Sequence, residues 1–183
     1  MRGTAPSLLI RPRRPDDVPA LVDVLMGQQT LTRYPFRDPL PVPPEQFLHA
    51  DDARAAWTAE VDGRPVGHVC RVDSPRGPHA EEMNGACARA HRCGLDELGW
   101  VSTLFVDPAA RGLGIGRALV GTVVDDMRAA GLRPCLEVLP VHAAALALYE
   151  ADGWQEVLRL RPEWLRTVDG EVPPDVRVLV LPG

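Results

Sequence analysis

Three glycines, Gly112, Gly114 and Gly116, fall within five positions of the stretch DPAARGLGIGRALVGTVVDDM, directly before the strongest helical pattern of the chain. Glycine weakens a helix interior, so a cluster of it at a helix entrance points to a close approach between backbone and ligand. The first amides of a helix lack intrahelical partners and carry partial positive charge. Removing side chains there leaves bare amides open to a phosphate. A Walker loop needs lysine, and all 20 basic residues here are arginine. The same lack excludes a Schiff-base lysine. A Rossmann fingerprint needs a third glycine where Arg117 or Leu119 stands, and belongs on a first strand–helix unit rather than mid-chain. Four other residues invite a metal reading: His79, Cys87, His91 and Cys93. Their C-x-x-x-H-x-C core fits no structural zinc spacing and no second pair completes it, so no metal is expected.

Around this loop the chain must supply a scaffold, and its 183 residues suffice for one domain, expected over 1–183. A hydrophobic fraction of 45% with 25% charged residues is ordinary for a soluble globular protein. Missing lysine, scarce isoleucine and asparagine, and abundant Ala, Arg, Pro, Gly and Val read as the coding bias of a GC-rich bacterial genome. A net charge of −5 argues against nucleic acid as a partner and suits a cationic small molecule. The N-terminus lacks a secretory pattern and no stretch is long enough to span a membrane. The expected location is cytoplasmic, with Cys70, Cys87, Cys93 and Cys135 reduced.

Patterning gives an α/β order. Ser7–Arg11 reads as a strand, and Asp16 or Asp17 caps a helix carrying Val18, Leu21, Val22, Leu25 and Met26. Five prolines between Thr32 and Pro44 mark an irregular, lid-like loop. Glu45–Ala53 reads as a short helix. Ala55–Glu60 and Pro65–Val72 form a hairpin through Asp62-Gly63. Ser74–Asp96 is the least regular part, with a short helix through Glu82–Arg92, and reads as an insertion between the third and fourth strands. Trp100–Val106 is a strand, Ile115–Ala130 a helix closed by Gly131, and Cys135–Leu139 a strand. Val141–Ala151 is a helix closed by Gly153, and Trp154–Leu160 and Asp175–Leu181 are strands. The last of these either completes the sheet or forms a homodimer contact.

Arg111, Gly114 and Gly116 fit the pattern [RQ]-x-x-G-x-[GA] after Val106-Asp107-Pro108, and here the sequence resembles the GCN5-related N-acetyltransferase (GNAT) superfamily. A second motif lies in register downstream. Ala145, Leu148, Tyr149, Gly153 and Trp154 match N-x-x-A-x-x-L-Y-x-x-x-G-[FW], with His142 in place of the asparagine. The resemblance is strong over Trp100–Val157. It implies a GNAT fold: a mixed sheet of six to seven strands with about four helices, splayed between the fourth and fifth strands.

It further implies direct acetyl transfer from acetyl-CoA to a primary amine of a small molecule or peptide. The backbone of Leu104, Phe105 and Val106 would hold the pantetheine arm and polarise the thioester carbonyl. Amides of Arg111, Gly112, Leu113, Gly114, Ile115 and Gly116, with Arg117, would hold the pyrophosphate. Tyr149 would be the general acid and a further contact to the co-substrate. His142 is a substitute ligand, an exposed helix-start residue or a proton relay. Asp96, Glu97 and Glu137 are carboxylates that could serve as base or through a water chain. Glu137 is the best placed, as a lone charge among Cys135, Leu136, Val138 and Leu139. From another class, an acyl-CoA-binding sensor or interaction module with the same fold would keep the loop and lack turnover.

Overall fold

The structure is a computed structural model describing residues 7–49, 52–162, 165 and 175–183. The elements are β1 (Leu8–Pro12), α1 (Val18–Thr32), α2 (Pro44–His49), β2 (Ala53–Val61), β3 (Arg64–Val72), α3 (Ala80–His91), β4 (Leu98–Val106), α4 (Ile115–Ala129), β5 (Arg133–Val138), α5 (Ala143–Ala151), β6 (Gln155–Leu160) and β7 (Val176–Val180). The strands form one mixed sheet in the order β1-β2-β3-β4-β5-β7-β6. Among the described residues no helix is long and apolar enough to cross a membrane. The chain divides into two compact units, Met1–Arg71 with Thr103–Val123, and Val72–Ser102 with Val124–Gly183.

In the first unit, β1 pairs antiparallel with β2 from Leu8↔Val61 to Pro12↔Trp57. Asp62 and Gly63 both have positive φ, 49° and 81°, the geometry of a turn that matches strand twist, so the Asp-Gly signal is realised. Helix α1 buries Leu21 and Leu25 with Val18 against Leu48 of α2 and Phe105 of β4. Its entrance is fixed by charge. Asp17 accepts from Arg11 Nη1 and Nη2 at 2.7 and 2.8 Å, from the Arg14 amide at 2.7 Å and from Thr58 Oγ1 at 2.9 Å.

In the second unit, β4 runs parallel to β5 from Leu98↔Arg133 to Val101↔Leu136, where the pairing described between them ends. Strand β5 continues to Val138, and its other edge is antiparallel to β7, with Glu137 opposite Val178. Strand β7 lies between β5 and β6. Both its edges are occupied, so it completes the sheet and offers no free edge to a second copy.

Two helix boundaries shift from those expected. The segment Ser74–Asp96 holds a full helix, α3, which buries Met83, Ala86 and Cys87 at helical spacing and packs against β6 and β7. Its Asn84 Oδ1 accepts from Trp100 Nε1 at 2.9 Å, which gives a polar residue in this helix a buried use. The short helix expected through Ala53 stops earlier. Helix α2 spans Pro44–His49 and Ala53 opens β2, an inner strand whose Trp57–Val61 pairs with β1.

Candidate functional site

Strand β4 leads through a single helical turn at Pro108–Ala110 into the glycine loop and α4. Asp107 fixes this exit. Its amide donates to Val66 O at 2.7 Å, and its carboxylate accepts from Ala109 N at 2.9 Å and Arg64 Nη2 at 2.9 Å. Beyond it, Gly112 and Gly114 have φ of 82° and 74°, backbone that L side chains rarely adopt. A Cβ at either position would meet nothing within 4 Å, so the space above the loop is open. Packing therefore does not require these glycines; the backbone course does. Arg111, Leu113 and Arg117 are exposed, Gly116 is half-buried, and Ile115 is buried as the first core residue of α4. The Ala118 amide makes the first helical bond, to Gly114 O at 3.0 Å. The amides before it head the helix and face the positive end of its dipole.

The strand that feeds this loop is bent. Thr103 has φ 51°, an outlier for a β-branched residue in a strand. Its carbonyl is bonded to Nδ1 of His68 at 2.9 Å, and His68 is wholly buried on β3. The imidazole also stacks on Phe105, with centroids 5.6 Å apart. Leu104 and Val106 are half-buried, and Phe105 is in the core. Gly67 admits this strand closely, since a Cβ there would lie 3.1 Å from Phe105 O. The first unit thus joins Leu104–Val106, the loop and a buried histidine.

The second unit holds Glu137, His142 and Tyr149. Tyr149 is 5% exposed in the last turns of α5, its ring edge-on to Trp154 at 5.7 Å. Burial pushes its phenol up, so the hydroxyl stays protonated through the neutral range. His142 caps α5 by position, without a side-chain capping bond, and is half-buried.

Glu137 is reached by solvent on the strand surface, yet protein crowds it enough to push its carboxyl up to about 7. Asp96 and Glu97 are both exposed, and Glu97 is engaged by the Gly94 amide at 2.8 Å.

The remaining thiols and histidines are used for packing. Cys87 and Cys135 are buried, and Cys135 Sγ donates to Arg133 O at 3.6 Å. His91 Nε2 bonds Pro134 O at 3.1 Å, and His79 faces Glu82 at 3.6 Å. Among the described residues no group of three or more His, Cys, Asp or Glu could hold a metal ion. A depression of about 470 Å³ lies where α1 meets the proline-rich loop, lined by Met26 and the run from Asp38 to Pro44. Nearby on the α1 sequence, Gln28 is 2% exposed and its Nε2 has no partner.

A sequence model described as the acetyltransferase (GNAT) family matches residues 21–154, and the chain belongs to that family. It is 38% identical over 92 residues to the [ribosomal protein bS18]-alanine N-acetyltransferase of Escherichia coli K12, covering 48% of this chain and 57% of that protein. It is 36% identical over 106 residues to the mycothiol acetyltransferase of Acidothermus cellulolyticus, covering 57% of this chain and 31% of that protein. The chain therefore matches only about a third to just over half of these relatives' length. The structure of yncA from Salmonella typhimurium with its cofactor acetyl-CoA superposes with a TM-score of 0.69 at 18% identity, covering 96% of this chain and 93% of that one. At that identity the likeness speaks for the fold.

Proposed function

We propose that this GNAT-family chain is an N-acetyltransferase that moves acetyl directly from acetyl-CoA to a primary amine of a small molecule or peptide. The observation that carries the reading is the helix entrance at Gly112 and Gly114, left-handed, open and free of side chains. A pyrophosphate fits such a cradle because backbone amides and the helix dipole supply the charge complement without lysine. Arg111, Gly112, Leu113, Gly114, Ile115, Gly116 and Arg117 would form it, and the backbone of Leu104, Phe105 and Val106 would hold the pantetheine arm as an added strand.

When bound, acetyl-CoA supplies a thioester whose carbon accepts the amine lone pair as the carbon–sulfur bond breaks. A backbone amide of Leu104–Val106 would hydrogen-bond the thioester oxygen as negative charge builds there. The Tyr149 hydroxyl would give its proton to the departing sulfur. Glu137 would take the amine proton, directly or through water, since a carboxyl near 7 is well matched to that task. His142 would contact the co-substrate at the start of α5. On the acceptor side, the exposed Asp38 at the depression would offer a carboxylate to a cationic amine. The relatives named above act on a ribosomal-protein alanine and on mycothiol, which supports amine acceptors as a class.

The test is release of CoA thiol from acetyl-CoA across a panel of aminoglycosides, polyamines, amino acids and peptide N-termini. Release that depends on a primary amine is expected, with kcat falling about 100-fold in Tyr149→Phe. Tight binding of acetyl-CoA without turnover of any amine would instead favour a sensor or interaction module.

A further inference from the structure

The bend in β4 at Thr103 is held by side chains that the family motif does not contain. His68, on β3, is fully buried and its two ring nitrogens meet partners of opposite kind. Arg13 Nη1 lies 3.2 Å from Nε2, and the same nitrogen donates to Leu48 O at 2.6 Å. A guanidinium can only donate. Nε2 must therefore accept, the proton resides on Nδ1, and Nδ1–H donates to Thr103 O at 2.9 Å. Burial pushes the imidazole down to about 4, in keeping with a neutral ring that has one donor and one acceptor. Arg13 is itself anchored, its amide donating to Ala56 O at 2.9 Å. Stacking on Phe105 fixes the plane of the ring.

We infer that His68 is a positioning residue for acetyl transfer: by holding the Thr103 carbonyl it keeps β4 in the bent course that aims the backbone of Leu104–Val106. The inference rests on the acetyl-transfer reading above. A threonine at φ 51° relaxes toward extended backbone unless its surroundings over-determine it. The His68 bond to the Thr103 carbonyl is a side-chain contact that does so. Loss of the bond turns the amides that follow, including the one placed to stabilise charge on the thioester oxygen. The pyrophosphate cradle lies beyond Asp107, whose own bonds to Val66 and Arg64 are independent of His68. Affinity for CoA itself should therefore survive while turnover falls.

Two conservative replacements separate this role from packing. In His68→Asn the amide nitrogen occupies the place of Nδ1 and can still donate to Thr103 O. In His68→Gln the amide reaches the place of Nε2 and the Thr103 bond is lost. Both lose the ring and its stack on Phe105, so thermal unfolding should drop by a similar amount in each. His68→Gln and His68→Phe should lower kcat by roughly 10- to 100-fold, whereas His68→Asn stays within about threefold of the parent and KM for acetyl-CoA changes little in all.

Amide exchange at Leu104 and Phe105 reads the geometry without turnover, and should speed up in His68→Gln and His68→Phe alone. Equal kcat in the Asn and Gln proteins, or unchanged exchange in His68→Phe, would overturn the inference while leaving acetyl transfer standing. Absence of transfer by the unaltered protein would overturn the underlying reading, and the positioning role with it.

Discussion

At the start of α1, Asp17 gathers a guanidinium, a backbone amide and a hydroxyl, all within 2.9 Å, and is itself 5% exposed. At the start of α4, in the same unit, Gly112 and Gly114 stand exposed with open space where side chains would be. Both helices need something at their N-terminal end. At the first, Asp17 ties the entrance to Arg11 of β1 and Thr58 of β2, without a capping bond to the helix amides. The second is left bare, at a cost in backbone freedom that glycine carries, and under the proposed function its amides would receive an anion.

The largest effect that can break this comparison is expected at the closed entrance. Asp17→Ala should lower stability by about 2–4 kcal/mol, since it removes the bonds from Arg11, the Arg14 amide and Thr58 and leaves Arg11 with Glu60 as its carboxylate partner. Urea unfolding would read that loss, and CoA affinity of the folded protein should not change. The Arg11 bonds hold the Asp17 carboxyl well below its ordinary value. Because that folded value is depressed, the stabilisation is complete above the unfolded value of about 3.9 and disappears as pH falls from there. The stability gap between the parent and Asp17→Asn should accordingly close in acid.

At the open entrance the expected loss is in binding. Gly114→Val should weaken CoA by about 100-fold, or close to 3 kcal/mol, and cost stability only about 1–2 kcal/mol for its positive φ. Calorimetry and thermal unfolding on the same sample separate the two. A stability loss as large as that of Asp17→Ala would mean that the loop is a packing device.

The smallest effect belongs to Glu137, which combines the charge of one entrance with the openness of the other. As a base it acts when ionised, so the rate should rise with pH through about 7. Glu137→Gln should flatten that rise and slow turnover about tenfold, because water can substitute at a solvent-reached position.

The sequence makes the open entrance legible because its signals are local: glycine spacing, a preceding Asp-Pro and a following apolar stripe all fall within Asp107–Met127. Tyr149 is legible for the same reason, through the register of Leu148, Gly153 and Trp154 around it. Helix α3 is harder to read. Gly77-Pro78 and the polar run Glu81–Asn84 obscure the spacing of Met83, Ala86 and Cys87, and Asn84 has a buried partner at Trp100 that only the fold supplies. The hold on Thr103 could not be read at all, since His68 lies 35 residues away and Arg13 another 55 from His68. Nothing in a threonine's neighbours announces a positive φ.

The most direct test of the account is a calorimetric comparison of CoA with pantetheine on the unaltered protein. If bare amides at Gly112 and Gly114 hold a pyrophosphate, CoA should bind at least about 100-fold more tightly, the worth of one or two charge-assisted hydrogen bonds. Equal affinities, or no binding of CoA, would contradict it.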